Sequence, residues 1–363
     1  MAERAAVTAE NITVGYGSYA VAEGITFHVS PGEVMTLIGA NGAGKSTVLR
    51  SISGQLPLLA GRVLIGGTDI AQIKGRDLAK RLSMVMTERI SAERMTCRDV
   101  AAMGRYPYTG RLGILSAEDN RAVDEAMELA GVSYIRDRDI RAVSDGQRQC
   151  VMLARAIAQE PEVLLLDEPA TFLDVDHKLE LLTLLRRFAM DKGIAVIQSL
   201  HELDLAQRFS DRVLCIRDGK ADCCGDPEDV FTGRYISSLY DMKNGSFNSA
   251  YGSAEPFGVQ GKPEVFVIGG GEGAISVYRR LWRQGVPFAA GIVYENDIAC
   301  PAAKALAAQL VTAKPFEPVS EDTKVTAFEL MGACGKAVSG GGDLSPSDRE
   351  LLEEAIRTGK LST

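Results

Sequence analysis

The chain has 363 residues and a net charge of −8, with 46% apolar and 24% charged residues. This length and apolar content allow two domains with buried cores. The acidic balance gives no electrostatic support for a nucleic-acid partner, so we expect none. The N-terminus lacks the apolar segment of a secretory signal, and no apolar run reaches the roughly 18 residues that span a bilayer.

Two αβ patterns follow one another along the chain. From Ala6 to about Asp241, β-rich runs alternate with helical stretches, which predicts a parallel sheet flanked by helices. Residues 243–263 are rich in Gly, Ser, Asn and Pro and predict a linker or a hairpin. A shorter αβ pattern follows. We therefore predict a first domain over 1–242, a connecting segment over 243–263 and an α/β accessory domain over 264–363. The seven cysteines are odd in number and lack metal-ligand spacing, which favours reduced thiols in a cytosol.

The first glycine-rich stretch, residues 39–46, fits the pattern G-x-x-x-x-G-K-[ST] between a strand and a helix. Glycines let backbone N–H groups converge on phosphate oxygens, and the helix N-terminus adds its positive end. Lys45 should reach the outer phosphates, and the Ser46 hydroxyl should bind Mg²⁺. The predicted nucleotide contacts of this loop are Gly39, Asn41, Gly42, Ala43, Gly44, Lys45, Ser46 and Thr47.

A second element of the same site is an apolar strand that ends in two carboxylates. Val163 to Leu166 leads into Asp167 and Glu168. We expect Asp167 to hold Mg²⁺ through water and Glu168 to orient and deprotonate an attacking water. An apolar run ending in Asp-Glu is weak on its own, but together with the glycine loop it predicts nucleotide hydrolysis.

Between these elements, residues 143–147 read Val-Ser-Asp-Gly-Gln before a helix. This run resembles the Leu-Ser-Gly-Gly-Gln signature of the ATP-binding cassette (ABC) family. The resemblance implies a P-loop NTPase with a RecA-like core, an antiparallel β subdomain and a helical subdomain. It also implies a homodimer that sandwiches two ATP molecules, with Ser144, Gly146 and Gln147 closing over the partner's ATP. Asp145 replaces a glycine, and we expect its side chain to point away from the phosphate.

Further positions continue the resemblance in order. Tyr16 is similar to the aromatic residue that stacks on adenine, and Leu173-Asp174 matches the loop that crosses the dimer interface. His201 follows a strand end where the family places its γ-phosphate-sensing histidine. One position departs from the family: Thr87 stands where a glutamine normally binds Mg²⁺ and senses the membrane partner. A threonine hydroxyl can ligate Mg²⁺, and the following Glu88 is an alternative ligand.

Residues 103–108, Met-Gly-Arg-Tyr-Pro-Tyr, resemble a region that faces the permease in importer ATPases for ferric siderophores, haem and cobalamin. The alternative interpretation is structural: the same run could be a helix C-terminus followed by a turn. The resemblance implies a peripheral protein on the cytoplasmic face of the membrane, with a permease pair and, indirectly, a substrate-binding protein as partners. The alternatives are a soluble ABC ATPase without a permease, or an importer of another substrate with a ligand-sensing tail.

The second glycine-rich stretch, residues 269–274, lacks the Lys and Ser/Thr of a triphosphate loop. It fits G-x-G-x-x-A after a strand and before a helix, which is the dinucleotide fingerprint, with Glu295 or Asp297 as the acidic residue. The tail resembles, loosely, extensions of some cobalamin- and iron-type cassette ATPases. Three interpretations stay open: a regulatory ligand sensor, packing or dimer support, and a true NAD(P) site. The last would make the tail an oxidoreductase, although it shows no catalytic acid–base pair.

Overall fold

The computed structural model describes residues 5–86, 94–110, 112–171, 173–342 and 344–362. The chain divides into two compact units, Met1–Phe231 and Thr232–Thr363. Within the described ranges, none of the helices has the length and apolar composition needed to cross a membrane.

The first unit contains the following strands and helices. Its strands are β1 (Val7–Tyr16), β2 (Tyr19–Val29), β3 (Val34–Ile38), β4 (Ala60–Ile65), β5 (Thr68–Asp69), β6 (Leu82–Val85), β7 (Val163–Asp167), β8 (Ala195–Ser199), β9 (Arg212–Arg217) and β10 (Lys220–Gly225). Its helices are α1 (Lys45–Ile52), α2 (Gly75–Arg81), α3 (Cys97–Ala102), α4 (Ala117–Leu129), α5 (Asp145–Ala158), α6 (Val175–Lys192), α7 (Leu203–Phe209) and α8 (Pro227–Val230).

One sheet runs through the first unit. In the described part of the chain it has ten strands in the order β5-β4-β1-β2-β10-β9-β3-β8-β7-β6. Strands β9, β3, β8, β7 and β6 pair in parallel, whereas β2, β1, β4 and β5 pair antiparallel. Every residue of β3, β7 and β8 is buried, which explains their apolar runs. Because parallel strands end at one edge, Ile38, Asp167 and Ser199 end neighbouring strands there.

A buried arginine, Arg105, connects the end of α3 with α4 and with the residue pair that follows α5. Arg105 follows α3, is only 3% exposed, and donates to Asp119 Oδ1 at 2.9 Å and to Glu160 at 2.6 Å. The other Asp119 oxygen accepts from Ser116 Oγ at 2.7 Å and closes the capping box of α4. The Tyr108 ring lies 3.9 Å from the guanidinium. The run at residues 103–108 therefore has a structural role, because its arginine is paired inside this helical region.

The second unit is an α/β sheet preceded by a helix and a hairpin. Helix α9 (Gly233–Leu239) leads into the antiparallel pair β11 (Gly245–Asn248) and β12 (Ser253–Pro256), so the polar segment forms a hairpin. The following elements are β13 (Val265–Ile268), α10 (Gly271–Arg283), β14 (Phe288–Tyr294), α11 (Cys300–Leu306), β15 (Gln309–Ala313), α12 (Glu321–Ala333), β16 (Lys336–Ser339) and α13 (Pro346–Arg357). The last four strands pair in parallel in the order β15-β14-β13-β16. This order places a topological switch point between β13 and β16.

Gly104 lies at a close approach between α5 and the turn that precedes Tyr106. A Cβ at Gly104 would lie 2.1 Å from the Arg155 carbonyl oxygen, so we expect Gly104→Ala to push these segments apart. The expected cost is about 1–3 kcal/mol of unfolding free energy, measured by urea unfolding followed by circular dichroism. Gly75→Ala is the matched control, because a Cβ there meets nothing within 4 Å. Equal unfolding midpoints for the two variants would contradict the close approach.

Candidate nucleotide site

The loop between β3 and α1 gathers the first group of predicted residues. Gly39 adopts φ 148°, and a Cβ there would lie 2.2 Å from the Ile216 carbonyl oxygen, so only glycine fits. Gly44 precedes α1 with φ 105°, and no side chain caps this helix start. The first N–H groups of α1 are thus left for an external acceptor, which is the arrangement that binds phosphate.

Lys45 supplies the positive charge of the loop. It is 5% exposed, and its ammonium donates to the carbonyl oxygens of Gly39 at 2.8 Å and Ala40 at 3.2 Å. Burial lowers the pKa of Lys45, and the charges of Glu168 and Asp167 oppose this shift. The folded loop therefore holds a desolvated cation next to two carboxylates, where an anionic ligand gains more from the charge than it would in water.

Asp167 connects the loop to the ends of β7 and β8. Its Oδ1 accepts from Ser46 Oγ at 2.9 Å and from Ser199 Oγ at 2.8 Å. The described residues include no group of three or more His, Cys, Asp or Glu side chains that could hold a metal ion. A hydroxyl and one carboxylate are instead the donor set with which Mg²⁺ is held on substrate phosphates, and Ser46 and Asp167 fit this role. The predicted ligand Thr87 lies outside the described residues.

Glu168 and His201 form a close pair beside Asp167. The two side chains meet at 2.5 Å, between His201 Nε2 and Glu168 Oε1, and both are partly exposed. Thr171 Oγ1 donates to the other Glu168 oxygen at 3.2 Å. The Glu168 backbone has φ 51°, in the left-handed region that costs a non-glycine residue about 1–3 kcal/mol. The carboxylate is held by two partners at a solvent-reachable edge.

Ser199 is a site residue that the sequence interpretation missed. It is fully buried, donates to Asp167 and accepts from the Glu168 N–H at 2.9 Å. One hydroxyl thus fixes the carboxylate of Asp167 and the backbone of Glu168. The available signal was the polar pair Gln198-Ser199 at the end of an otherwise apolar strand.

The signature residues lie on a separate element, at the start of α5. Ser144 and Gln147 cap each other, with Gln147 N–H donating to Ser144 Oγ at 3.2 Å and Ser144 N–H to Gln147 Oε1 at 3.1 Å. Gln147 Nε2 also donates to the Tyr134 hydroxyl at 3.0 Å. The Asp145 carboxylate pairs with Arg148. These contacts stay local to the helical region, whereas Lys45, Ser46, Asp167, Glu168 and His201 converge on the edge of the sheet.

The remaining predicted contacts differ in exposure. Tyr16, the last residue of β1, is 50% exposed. Asn41 and Gly42 are exposed at the tip of the loop, whereas Ala43 and Thr47 are buried against the core. Thr47 is buried, whereas Asn41 and Gly42 are open to solvent; all of these stay predicted contacts of the nucleotide.

Comparison with known proteins extends over both units. Residues 22–171 match the ABC transporter family, and residues 288–361 match the MJ0874 family. The ABC transporter ATP-binding protein MJ0873 of Methanocaldococcus jannaschii is 42% identical over 276 residues, covering 75% of this chain and 94% of the relative. The cobalamin import ATP-binding protein BtuD of Halobacterium salinarum is 33% identical, covering 91% and 85%. The ferric enterobactin transport ATP-binding protein FepC of Escherichia coli is 34% identical, covering 64% and 86%.

A solved structure supports the same fold. The ADP conformation of MJ1267, an ATP-binding cassette of an ABC transporter, superposes with a TM-score of 0.60 at 22% identity, covering 66% of this chain and 99% of the other. The fold and the loop define a P-loop NTPase with an additional α/β region. The chain belongs to the ABC transporter ATP-binding proteins, and it is an ATP-binding ATPase. The predicted cassette fold, with its C-terminal α/β extension, is confirmed.

We expect Ser199→Ala to slow ATP hydrolysis more than it weakens ATP binding, because it removes a donor from Asp167 and an acceptor from the Glu168 N–H. A hydrogen bond to a charged group is worth about 1.5–3 kcal/mol, so turnover should fall about tenfold or more. Steady-state phosphate release and fluorescent nucleotide titration separate the two effects. Ser199→Thr retains the hydroxyl and should remain close to the unsubstituted chain. Equal turnover of the alanine and threonine variants would rule out this role.

Proposed function

We propose that the chain is the ATP-hydrolysing subunit of an importer for an iron chelate (siderophore), haem or cobalamin. Cobalamin import and ferric enterobactin transport are the activities for which two of the relatives are named. The observation that carries the hydrolytic part is the Glu168–His201 pair beside Asp167 and Ser46. The substrate class comes from the relatives, because an ATPase subunit of this kind does not itself contact the transported molecule.

At the proposed catalytic centre, Glu168 acts as the base that orients and deprotonates water, and His201 holds its carboxylate in place. Lys45 and the start of α1 neutralise the phosphate oxygens, which is where phosphoryl transfer needs stabilisation. Tyr16 supplies the stacking surface for adenine. When bound at Ser46 and Asp167, Mg²⁺ supplies further neutralisation of phosphate charge. Thr87 stays a predicted third ligand.

Two cassettes are proposed to close around two ATP molecules. The start of α5 presents the N–H groups of a helix N-terminus, capped by Ser144, to the partner's γ-phosphate. A Cβ at Gly146 would meet Leu173 and His177 at ordinary contact distances of 3.4 and 3.5 Å, so the chain itself leaves room beside this end. The pairing of Asp145 with Arg148 draws its carboxylate charge toward a cation. This supports a phosphate at the helix start in spite of the Asp.

A permease pair is the proposed membrane partner. Three apolar side chains near the helical region are largely exposed: Tyr106 at 77%, Leu112 at 85% and Ile114 at 72%. The three residues are close along the chain, and exposed apolar side chains on one segment support an interaction surface there. The chain would then work at the cytoplasmic face of the membrane, with a substrate-binding protein acting on the other side.

The domain limits are also part of the proposal. We assign the cassette to 1–242, the connecting hairpin to 243–263 and the accessory domain to 264–363. The family match over 288–361 supports a separate module at the C-terminus. The compact first unit ends earlier, at Phe231, because α9 contacts the hairpin: Ser237 Oγ accepts from the Phe247 N–H at 2.8 Å.

The hydrolytic assignment is tested with Glu168→Gln. The amide cannot accept the proton of water, so hydrolysis should fall by about 10²-fold or more while ATP binding persists. ATP should then hold two chains together, seen as a dimer by light scattering only when ATP is present. Glu202→Gln is the matched control, because Glu202 pairs with Lys178 at 2.6 Å instead of with His201. Unchanged turnover in Glu168→Gln would remove Glu168 from the mechanism.

The importer assignment is tested by uptake in the organism that encodes the chain. Deletion of its gene should abolish uptake of one of three labelled substrates: cyanocobalamin, a ferric hydroxamate or haemin. Re-expression of the native chain should restore that uptake, whereas the Glu168→Gln variant should not. Normal uptake of all three in the deletion strain would favour a cassette without a permease or with another substrate.

A further inference from the structure

A tyrosine of the helical region holds the signature glutamine. Tyr134 lies in a short turn, Ser133–Ile135, between α4 and α5. Its hydroxyl accepts from Gln147 Nε2 at 3.0 Å. Within the described part of the chain, this amide nitrogen has no other hydrogen-bond partner. The side chain of Gln147 therefore depends on one phenol at this end, and neither the phosphate loop nor the sheet edge involves that phenol.

The backbone that carries Tyr134 is anchored, although the side chain itself is 71% exposed. The residues on either side, Val132 and Ile135, are buried, with exposures of 2% and 0%. A few positions further on, the Arg138 carbonyl oxygen accepts from the Cys97 N–H at 2.8 Å, at the start of α3. The hydroxyl of Tyr134 is thus presented from a fixed backbone, as a residue that orients another side chain requires.

Both ends of the Gln147 amide are engaged, in two different directions. Its Oε1 accepts from the Ser144 N–H at 3.1 Å, while its Nε2 donates to Tyr134. An amide carries its acceptor and its donors on different atoms, so two partners of opposite kind fix its orientation. The Gln147 N–H also donates to Ser144 Oγ at 3.2 Å. A chain of hydrogen bonds therefore connects the phenol, through Gln147, to the residue that caps α5.

The capping serine remains able to bind an anion within this network. A hydroxyl has one donor and two acceptor positions, and Ser144 Oγ uses an acceptor position for the Gln147 N–H. Its proton is left for an oxygen that approaches the positive end of α5. The direction of that proton and of the first N–H groups depends on how Ser144 is held. Gln147 holds it, and Tyr134 in turn holds Gln147.

We propose that Tyr134 is a positioning residue for ATP hydrolysis, which sets Ser144 for the γ-phosphate of the partner's ATP by orienting Gln147. The inference rests on the proposed closure of two cassettes around two ATP molecules. Tyr134 does not touch ATP in this role. Its hydroxyl should matter for closure and for turnover, whereas ATP binding to a single chain uses Lys45 and Ser46 and should not require it.

The test is Tyr134→Phe, which removes the hydroxyl and keeps the ring. In a chain that also carries Glu168→Gln, light scattering over a series of chain concentrations gives the dissociation constant of the ATP-bound dimer. Loss of one neutral hydrogen bond weakens an interaction about two- to tenfold. A symmetric dimer uses the bond twice, so the dissociation constant should rise about tenfold. Tyr294→Phe is the matched control, because it removes a hydroxyl from the second unit and should leave this constant unchanged.

Two further measurements separate positioning from folding. A fluorescent nucleotide, titrated at chain concentrations too low for dimers, should bind Tyr134→Phe as tightly as the native chain. The thermal unfolding midpoint, followed by circular dichroism, should also be unchanged. A weaker nucleotide affinity or a lower midpoint would assign the hydroxyl to stability of the helical region and overturn the inference.

A double substitution tests whether Tyr134 acts through Gln147. In a Gln147→Ala chain the phenol has lost its partner, so adding Tyr134→Phe should not lower steady-state ATP turnover further. Independent losses that multiply would contradict the inference. Failure of the Glu168→Gln chain to dimerise with ATP would overturn the proposed closure and this inference with it. If that chain dimerises and Tyr134→Phe leaves its dissociation constant unchanged, the inference alone is wrong.

Discussion

A single oxygen atom, Asp167 Oδ1, joins the three elements on which the nucleotide site depends. It accepts from Ser46 at the start of α1 and from Ser199 at the end of β8, while Asp167 itself ends β7. A buried carboxylate oxygen needs hydrogen-bond donors to offset the hydration it has lost, and here both donors come from other elements. The hydrogen bonds that stabilise the charge therefore also fix the position of the phosphate loop relative to the sheet edge.

The strained backbone of Glu168 follows from the same junction. The Asp167 carboxylate faces the loop, and the next residue must turn sharply for its side chain to reach the solvent edge. The positive φ of Glu168 makes this turn, and the Glu168 N–H donates to Ser199 Oγ. The strain is confined to Glu168, and its hydrogen bond to the fully buried Ser199 hydroxyl stabilises this backbone conformation. The geometry keeps two adjacent carboxylates in different surroundings, one buried among hydroxyls and one partly exposed beside His201, so each is suited to a different task.

The sequence predicts those parts of the fold that local patterns encode. The spacing from Gly39 to Ser46 predicts a loop conformation, and the apolar run before Asp167 predicts a buried strand ending at the same edge. Ser199 could not be found in this way, because its partners lie 31 and 32 positions earlier and a serine at a strand end is common. Arg105 gives a second example: burial and pairing with Asp119 and Glu160 depend on helix packing, which a short motif does not encode.

The second glycine loop shows how one pattern supports different chemistry. The spacing of 269–274 was compatible with a dinucleotide site, and Asp297 was one candidate for its acidic residue. In the structure, Asp297 instead turns back onto the helix start. No sequence pattern distinguishes these arrangements, because both place an acidic residue shortly after β14.

The Asp297 carboxylate at the start of α10 also makes the two glycine loops chemically different. Because Asp297 already accepts from the Gly271 N–H, a phosphate at this helix start would have to displace a carboxylate of like charge. The two glycine loops therefore offer opposite charge to a ligand, a buried ammonium at Lys45 in the first unit and a carboxylate at Asp297 in the second.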